Sequence, residues 1–433
     1  MTTNKHASRR QFLCTSSTAA AGLALTPKVF SIGRPGGSAL ETINIGVVGT
    51  GGRGGGACND NLTANENVRL AAMADLDPAK CDRLRKNLVK KHGQKVDVGD
   101  SRIYGGLDGF RKVIDDPNVD LVLLTTSPGF RPWHIAEAVK ARKHVFAEKP
   151  VCVDPAGFRS CIDSHERAIK QETAIVTGTQ YRRQPSFIEA IDRLQEGVLG
   201  EIVGATARYC SSGIWYRKRQ EGMSDTEYQL HNWMHFIWLS GDQICEQAVH
   251  NVDVINWLMG GPPESAYGSG GRFTRPDDSE MWDSMSIDFM YPGNRMVSFK
   301  CRQIPGTKGD SNNVVYCADG IGYINAFSSG SRLVDRKGKE IFKIKGDIGA
   351  AYKQEHRDLI DSIRAGKPIV ELKQTAESSL TAAMGRMACY TGQKVTWDFV
   401  SKKSKLDTFP KNLTMKGSRP TSTHAIPGKS KLV

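Results

Sequence analysis

From Ile43 onward the chain alternates two textures. Short, almost wholly apolar runs (Ile43–Val48, Val68–Ala74, Asp120–Thr126, His144–Ala147, Ala174–Gly178) are separated by stretches whose apolar residues recur every three or four positions. Runs of this kind predict strands buried on both faces of a parallel sheet. The intervening spacing predicts helices. One spans Pro78–His92, with Leu84 and Leu88 on one face. A second spans Leu107–Ile114, after a turn opened by Tyr104. A third spans Pro132–Ala141, with Ile135, Ala138 and Val139 inward. Strand–helix alternation of this length is a doubly wound sheet.

Past about Gln180 the strands lengthen and alternate in polarity: Ile202–Cys210, Ser284–Tyr291, Arg295–Arg302, Val314–Ala318 and Gly322–Ala326, with turn signals such as Pro292-Gly293-Asn294 between them. This predicts a second, mostly antiparallel sheet with helices on one face. Gln354–Ala365 and Thr375–Thr391 read as helices returning to the first domain. The fold class is therefore α/β. The expected domains are 39–178 and 179–400, with a leader and linker over 1–38 and a basic, extended tail over 401–433.

The first apolar run enters Gly49-x-Gly51-x-x-Gly54, and the second ends at Asp75. The first glycine permits the tight turn. The second lets backbone approach a pyrophosphate, and the third lets the following helix pack close to the strand. The helix start offers free N–H groups to phosphates, and Asp75 stands where an acid binds the adenosine ribose hydroxyls and disfavours a 2′-phosphate. This is the fingerprint of a Rossmann dinucleotide site. It predicts NAD rather than NADP, held at Gly49, Gly51, Gly52, Arg53, Gly54 and Asp75.

Ligands of such sheets bind at the carboxyl ends of the strands. Three of those ends carry chemistry: Thr125-Thr126-Ser127-Pro128, Glu148-Lys149-Pro150 and Gly178-Thr179-Gln180. Thr126, Ser127, Glu148 and Gln180 are candidate cofactor contacts. Lys149 is either a surface lysine at a strand end or an ammonium that polarises an alcohol or carbonyl oxygen. Further on, Glu246 and His250 fall one turn apart if 246–257 is helical. The pair suits proton transfer, a histidine at a packed helix surface, or two ligands of a metal site for which further ligands are lacking. Asp253 follows on the same stretch. An aromatic segment (Trp215, Tyr216, Tyr228, His231, Trp233, His235 and Trp238) suits the apolar faces and polar edges of sugar rings, and equally a packed lid or an oligomer contact.

The ends account for the charge. Of the net +13, residues 1–34 carry five and residues 402–433 a net seven, so the body is nearly neutral. Without a basic stripe in the body, nucleic acid is not an expected partner. Ser8-Arg9-Arg10-Gln11-Phe12-Leu13 and the short apolar stretch Ser17–Leu25 read as a twin-arginine signal, predicting export of the folded protein to the periplasm by that machinery. No later segment is apolar enough for stable membrane insertion. Ten cysteines without C-x-x-C spacing predict buried thiols rather than disulfides or zinc.

Together these motifs resemble the Gfo/Idh/MocA family over about Ile43–Asp398. The matching points are the glycine loop, His134 in the helix before Lys143-His144-Val145, Glu148-Lys149-Pro150, Arg183, and the acid-x-x-x-His pair ahead of Asp253. The resemblance implies a Rossmann domain followed by an α/β domain whose large open sheet mediates homo-dimers or homo-tetramers. It implies hydride transfer between nicotinamide and a sugar or polyol carbon. It further implies that Lys149 contacts the reacting oxygen, that His250 moves the proton and that Glu246 orients it. His134 is then a candidate cofactor contact and Arg183 and Asp253 are candidate substrate contacts, while Trp215, Tyr216 and Trp233 are substrate candidates from the aromatic pattern alone, an insert in which this chain departs from cytoplasmic members. No resident metal is implied. Family inositol dehydrogenases carry Asp where this chain has Glu246, which changes the substrate geometry.

Three readings follow. The first is an NAD-dependent oxidoreductase acting on a CH–OH group of a sugar, polyol or derivative. The second is a redox-neutral glycoside hydrolase or lyase that works through a transient keto-sugar with retained cofactor, using Glu246, His250, Tyr216 or Tyr228 as base. The third is a sugar-binding protein that keeps a structural cofactor.

Overall fold

A computed structural model describes residues 42–433. The expected signal over 1–38 lies outside the described residues. The first domain runs β1 (Ile43–Val48), α1 (Gly52–Ala64), β2 (Val68–Asp75), α2 (Pro78–His92), β3 (Ile103–Gly105), α3 (Gly109–Ile114), β4 (Leu121–Leu124), α4 (Arg131–Lys140), β5 (His144–Ala147), α5 (Pro155–Gln171) and β6 (Ile175–Thr177). The six strands are parallel in the order β3-β2-β1-β4-β5-β6. The order reverses beside β1, so the crevice for a ligand opens between the carboxyl ends of β1 and β4. Every residue of β4 is buried, as its unbroken apolar run predicts. Tyr104 lies in β3 instead of a turn. Its strand is short and at the sheet edge, where periodicity carries little signal.

The second domain runs α6 (Pro185–Gln195), β7 (Ile202–Ser211), α7 (Asp225–His231), α8 (Ile237–Ser240), α9 (Gln243–Glu246), α10 (Val249–Met259), β8 (Ser265–Gly271), β9 (Ser284–Tyr291), β10 (Arg295–Gln303), β11 (Asp310–Cys317), β12 (Gly320–Ile324), β13 (Ser331–Asp335), β14 (Glu340–Ile344), α11 (Ile348–Arg364), α12 (Leu372–Thr391) and β15 (Val395–Thr396). Its nine strands are ordered β14-β13-β12-β11-β7-β10-β9-β8-β15, antiparallel except for the central β7–β10 pair. Ala205, Ala207, Ile287, Phe289, Val297, Phe299 and Val315 face inward and are buried, while Tyr267, Met296 and Tyr316 stand exposed on the other face.

Strand β8, Ser-Ala-Tyr-Gly-Ser-Gly-Gly, escapes a propensity reading because its glycines suggest a turn. They serve close approach instead: a Cβ on Gly270 would sit 2.2 Å from the Ser284 carbonyl oxygen, and one on Gly268 would sit 2.8 Å from Cys389 Sγ of α12. Helix α11 does return to the first domain, where Asn61 of α1 meets His356 at 3.3 Å.

Residues 401–433 are not the extended arm expected from their composition. Thr408 donates its backbone N–H and its hydroxyl to Asp154, and Gly428 donates to the carbonyl of Thr391. The aromatic Phe409 supplies an apolar anchor that charge counting ignores. The nine described cysteines are free thiols, eight of them buried.

Candidate active site

The glycine loop carries the geometry that its spacing demands. Gly49 has φ +93°, and a Cβ there would lie 2.8 Å from the backbone nitrogen of Thr126. A Cβ on Gly54 would lie 2.0 Å from the Gly49 carbonyl oxygen, so only glycine lets α1 pack this close. Gly51 and Gly52 differ: nothing stands within 4 Å of where their Cβ atoms would be. That open space leaves the backbone at the start of α1 accessible to a pyrophosphate. Asp75 closes the turn from β2, accepting at Oδ2 from the Thr50 N–H (2.7 Å) and hydroxyl (3.1 Å). Its Oδ1 lies 3.7 Å from Lys80 Nζ.

On the other side of the crevice, Thr126 Oγ1 meets His134 Nδ1 at 3.3 Å, and Ser127 opens the turn Pro128–Phe130 that leads into α4. His134 is buried against Phe110, ring centroids 4.1 Å apart. Burial, and the charges of Arg131 and Arg111, hold its imidazole down to about 3. It is neutral at any physiological pH, and its Nε2 has no protein partner among the described residues. Gln180 is buried too. Its amide nitrogen donates to Tyr352 Oη at 3.0 Å while its Oε1 finds no protein acceptor or donor. Open backbone at Gly51 and Gly52 and two unpartnered buried polar atoms fit an NAD molecule lying across the strand ends.

Two residues expected at the cofactor turn inward. Arg53 Nε lies 2.6 Å from Glu148 Oε1, and its guanidinium stacks over Tyr352 at 4.6 Å. Glu148 is 2% exposed and rests on Gly178, where a Cβ would fall 2.5 Å from Oε2. The pair links α1 to the end of β5.

The Lys149–Pro150 peptide is cis. Lys149 Nζ donates to the main-chain carbonyl of Glu246 and lies 3.3 Å from its Oε1. The single helix expected over 246–257 is broken. Glu246 ends α9, Gln247 and Ala248 intervene, and His250 is the second residue of α10. The break leaves the Glu246 carbonyl to Lys149, so Glu246 holds the ammonium and does not pair with His250. His250 makes no side-chain hydrogen bond among the described residues, and its half-buried ring lies 5.0 Å from Tyr181. Burial, with the charges of Lys149 and Arg53, lowers its pKa well below the ordinary histidine range. A neutral imidazole with free nitrogens beside an ammonium is a competent proton acceptor.

Arg183 and Asp253, expected at the substrate, are engaged inside the protein. Arg183 pairs with Glu371 (2.8 Å) and Asp358 (3.2 Å). Asp253 is 2% exposed, accepts from Arg182 at 2.8 and 2.9 Å, and accepts from Ser378 at 2.8 Å. A buried carboxylate needs such partners. Trp215 and Tyr216 are partly exposed, with Arg217 over the Trp215 ring at 4.5 Å and Trp233 beside it at 6.2 Å. Tyr216 and Tyr228 both donate to Asp278. Desolvation and Asp278 raise both phenols, which makes them hydrogen-bond donors and poor bases.

Arg131 was not legible as a site residue. Buried at the start of α4, it donates to the carbonyls of Thr126 (2.7 Å), Lys149 (2.9 Å) and Pro150 (2.7 Å), bracing two strand ends at once. A lone charge beside the apolar run of the preceding strand was the available signal. Tyr352 and Glu355, from α11, reach the crevice from about 175 residues beyond β6, and no local pattern marks them.

Residues 43–175 match the model of the oxidoreductase family with an NAD-binding Rossmann fold, and residues 187–321 match the Gfo/Idh/MocA C-terminal domain. Over 84% of its length the chain is 23% identical to a myo-inositol 2-dehydrogenase of Thermotoga maritima, 98% of which is covered. Over 41% of its length it is 26% identical to an alpha-N-acetylgalactosaminidase of Shewanella oneidensis, of which it spans 37%. The fold matches scyllo-inositol dehydrogenase from Lactobacillus casei with bound NAD(H) and scyllo-inositol (TM-score 0.63, 17% identity, 82% of this chain and 99% of that one).

Proposed function

The chain belongs to the Gfo/Idh/MocA family of NAD-binding oxidoreductases, and from that premise we propose that it oxidises a CH–OH group of a sugar, polyol or sugar derivative. The observation that carries this reading is Lys149 at the end of β5, tethered at Glu246, with its charge acting on a neutral His250 that makes no side-chain hydrogen bond among the described residues. NAD, when bound, supplies the hydride acceptor. The chain's own residues handle the oxygen. A ring nitrogen of His250 accepts the hydroxyl proton, and the Lys149 ammonium donates a hydrogen bond to the oxygen as negative charge grows on it. Glu246 keeps the ammonium aimed, and Arg131 keeps the strand ends in place. Likeness to inositol dehydrogenases along most of the chain supports a polyol or sugar ring as substrate.

The match to an alpha-N-acetylgalactosaminidase over 41% of the chain favours a second reading on the same residues. Oxidation at one ring carbon acidifies the neighbouring C–H. Once His250 has passed the hydroxyl proton to solvent, it takes this C–H proton and hands it to the departing glycosidic oxygen; water then adds to the alkene, and reduction of the ketone restores the starting redox state. Purified protein offered NAD with a panel of inositols, sugars and sugar glycosides separates the two. Stoichiometric NADH with a free polyol supports the first. Release of the leaving group without net NADH supports the second, and neither signal on the whole panel overturns both.

The twin-arginine segment supports export to the periplasm, which cell fractionation with and without the Arg9-Arg10 pair would test. The uncovered face of the nine-stranded sheet, with Tyr267, Met296 and Tyr316, supports a homo-oligomer, readable by light scattering.

A further inference from the structure

The aromatic segment and the C-terminal tail belong together. Arg419 donates its backbone N–H to Asp225 at 2.8 Å, accepts from Gln229 at 2.6 Å through its carbonyl, and stacks over Trp238 at 4.9 Å. The Phe409 ring wedges against Phe130 (5.4 Å) and Trp238 (5.9 Å). Ser422 then donates to Glu280 at 2.9 Å. The tail thus crosses residues 223–240 and is anchored on both sides of them.

These clasped residues sit at the adenosine end of the crevice. Met223, Leu230 and Trp233 share an apolar cluster with Leu107 and Phe130. Leu107 lies two residues beyond Gly105, the cross-strand partner of Asp75. The backbone of Gly129, just past β4, lies so close to Trp238 that a Cβ there would fall 2.0 Å from the Trp238 carbonyl oxygen. The segment therefore touches the carboxyl ends of both β3 and β4. It also brings cations: Arg217 donates to the His231 carbonyl at 2.9 Å, and His231 lies in the field of both Arg217 and Lys80, the partner of Asp75.

We propose that residues 215–240, clasped by residues 408–422, form a cover over the adenosine half of the nucleotide site, with Arg217 and Lys80 facing the dinucleotide, so that release of the cofactor is slow and it is retained between turnovers. The proposal rests on the assignment of the crevice to NAD. It follows physically from enclosure: a ligand roofed by a packed aromatic lobe leaves only when that lobe lifts, and affinity gained this way lies in the off-rate.

The test is the rate at which NADH leaves the full-length protein, followed by its fluorescence when excess NAD is added as a chase. Phe409→Ala removes the clasp's apolar anchor, and Arg217→Ala removes an exposed cation without touching the core, so at least the second variant retains the fold. Both are expected to release NADH faster, Phe409→Ala by at least about tenfold, or ~1.4 kcal/mol. Release from the unaltered protein as fast as from both variants overturns the proposal, as does failure of the unaltered protein to take up NAD(H). Catalysis separates the readings. Tight NAD(H) retention with no turnover of any carbohydrate sinks the proposed reaction and leaves the cover standing. Turnover with freely exchanging NAD sinks the cover alone.

Discussion

The ammonium of Lys149 is bound by Glu246 twice, through the main-chain carbonyl and through the carboxylate at 3.3 Å. Only the second contact depends on the side chain. Glu246→Gln is therefore expected to leave Lys149 tethered and to lower kcat about tenfold with little change in KM for NAD. Lys149→Met is expected to lower kcat by about 10³ or more, since the reacting oxygen loses its cationic donor. Steady-state kinetics on the best substrate from the panel checks both. Equal effects of the two substitutions would show that Glu246 does more than aim the ammonium.

Asp75 holds the Thr50 turn, and in the proposed site it would also face the adenosine ribose. Asp75→Asn keeps an oxygen to accept from Thr50 but removes the charge that repels a 2′-phosphate. The NAD-to-NADP affinity ratio, measured by calorimetry, is expected to fall about tenfold or more with little loss of stability. Asp75→Ala, which strands the Thr50 N–H, is expected to weaken both cofactors.

Four histidines, His134 and His356 buried and His144 and His250 half-buried, set an acid limit on stability. Burial holds His134 and His356 near about 3 and His144 near about 4, and lowers His250 well below its usual value. His144 Nδ1 also accepts from the Ala174 N–H at 3.0 Å, which only the neutral ring can do. The unfolded chain takes up protons on these rings near pH 6.5 while the folded chain does not. Stability is therefore full above pH 6.5 and falls as pH drops toward 4, at up to ~1.4 kcal/mol per pH unit for each ring. Urea midpoints between pH 7 and pH 4.5 would read this. His144→Asn is expected to shallow the decline.

Glu355 carries the opposite sign. It is wholly buried, neither carboxyl oxygen has a hydrogen-bond partner among the described residues, and burial and the neighbouring Glu148 raise its pKa well above the ordinary value. The unfolded chain ionises it near pH 4.5 and the folded chain does not, so its contribution to stability is present below pH 4.5 and is lost as pH rises toward the folded pKa. Glu355→Gln keeps the shape and removes the proton requirement. It is expected to equal the parent protein at pH 5 and to exceed it at pH 8 by on the order of 1 kcal/mol in chemical denaturation.

The nucleotide half of the site was legible because its chemistry is local. Gly49, Gly51, Gly54 and Asp75 act through backbone sterics and strand ends that a dozen or two residues define, and the apolar runs of β1, β2, β4 and β5 announce a parallel sheet by themselves. The tail was misread because composition reports charge and not the single Phe409 that anchors it. Arg183 and Asp253 were misread because spacing along a chain does not reveal which buried charges find partners in the protein.

By itself the sequence determined the order of strands and helices, the phosphate cradle and the residues able to do the chemistry, since each depends on neighbours a few positions away. The tertiary structure alone decided their use. It broke the helix between Glu246 and His250 so that Lys149 could take a carbonyl, brought Arg131 under two strand ends, buried Glu355 without a partner, and folded the tail over the aromatic lobe. Those outcomes depend on desolvation and on contacts between residues as many as 254 positions apart, quantities that exist only once the core has closed.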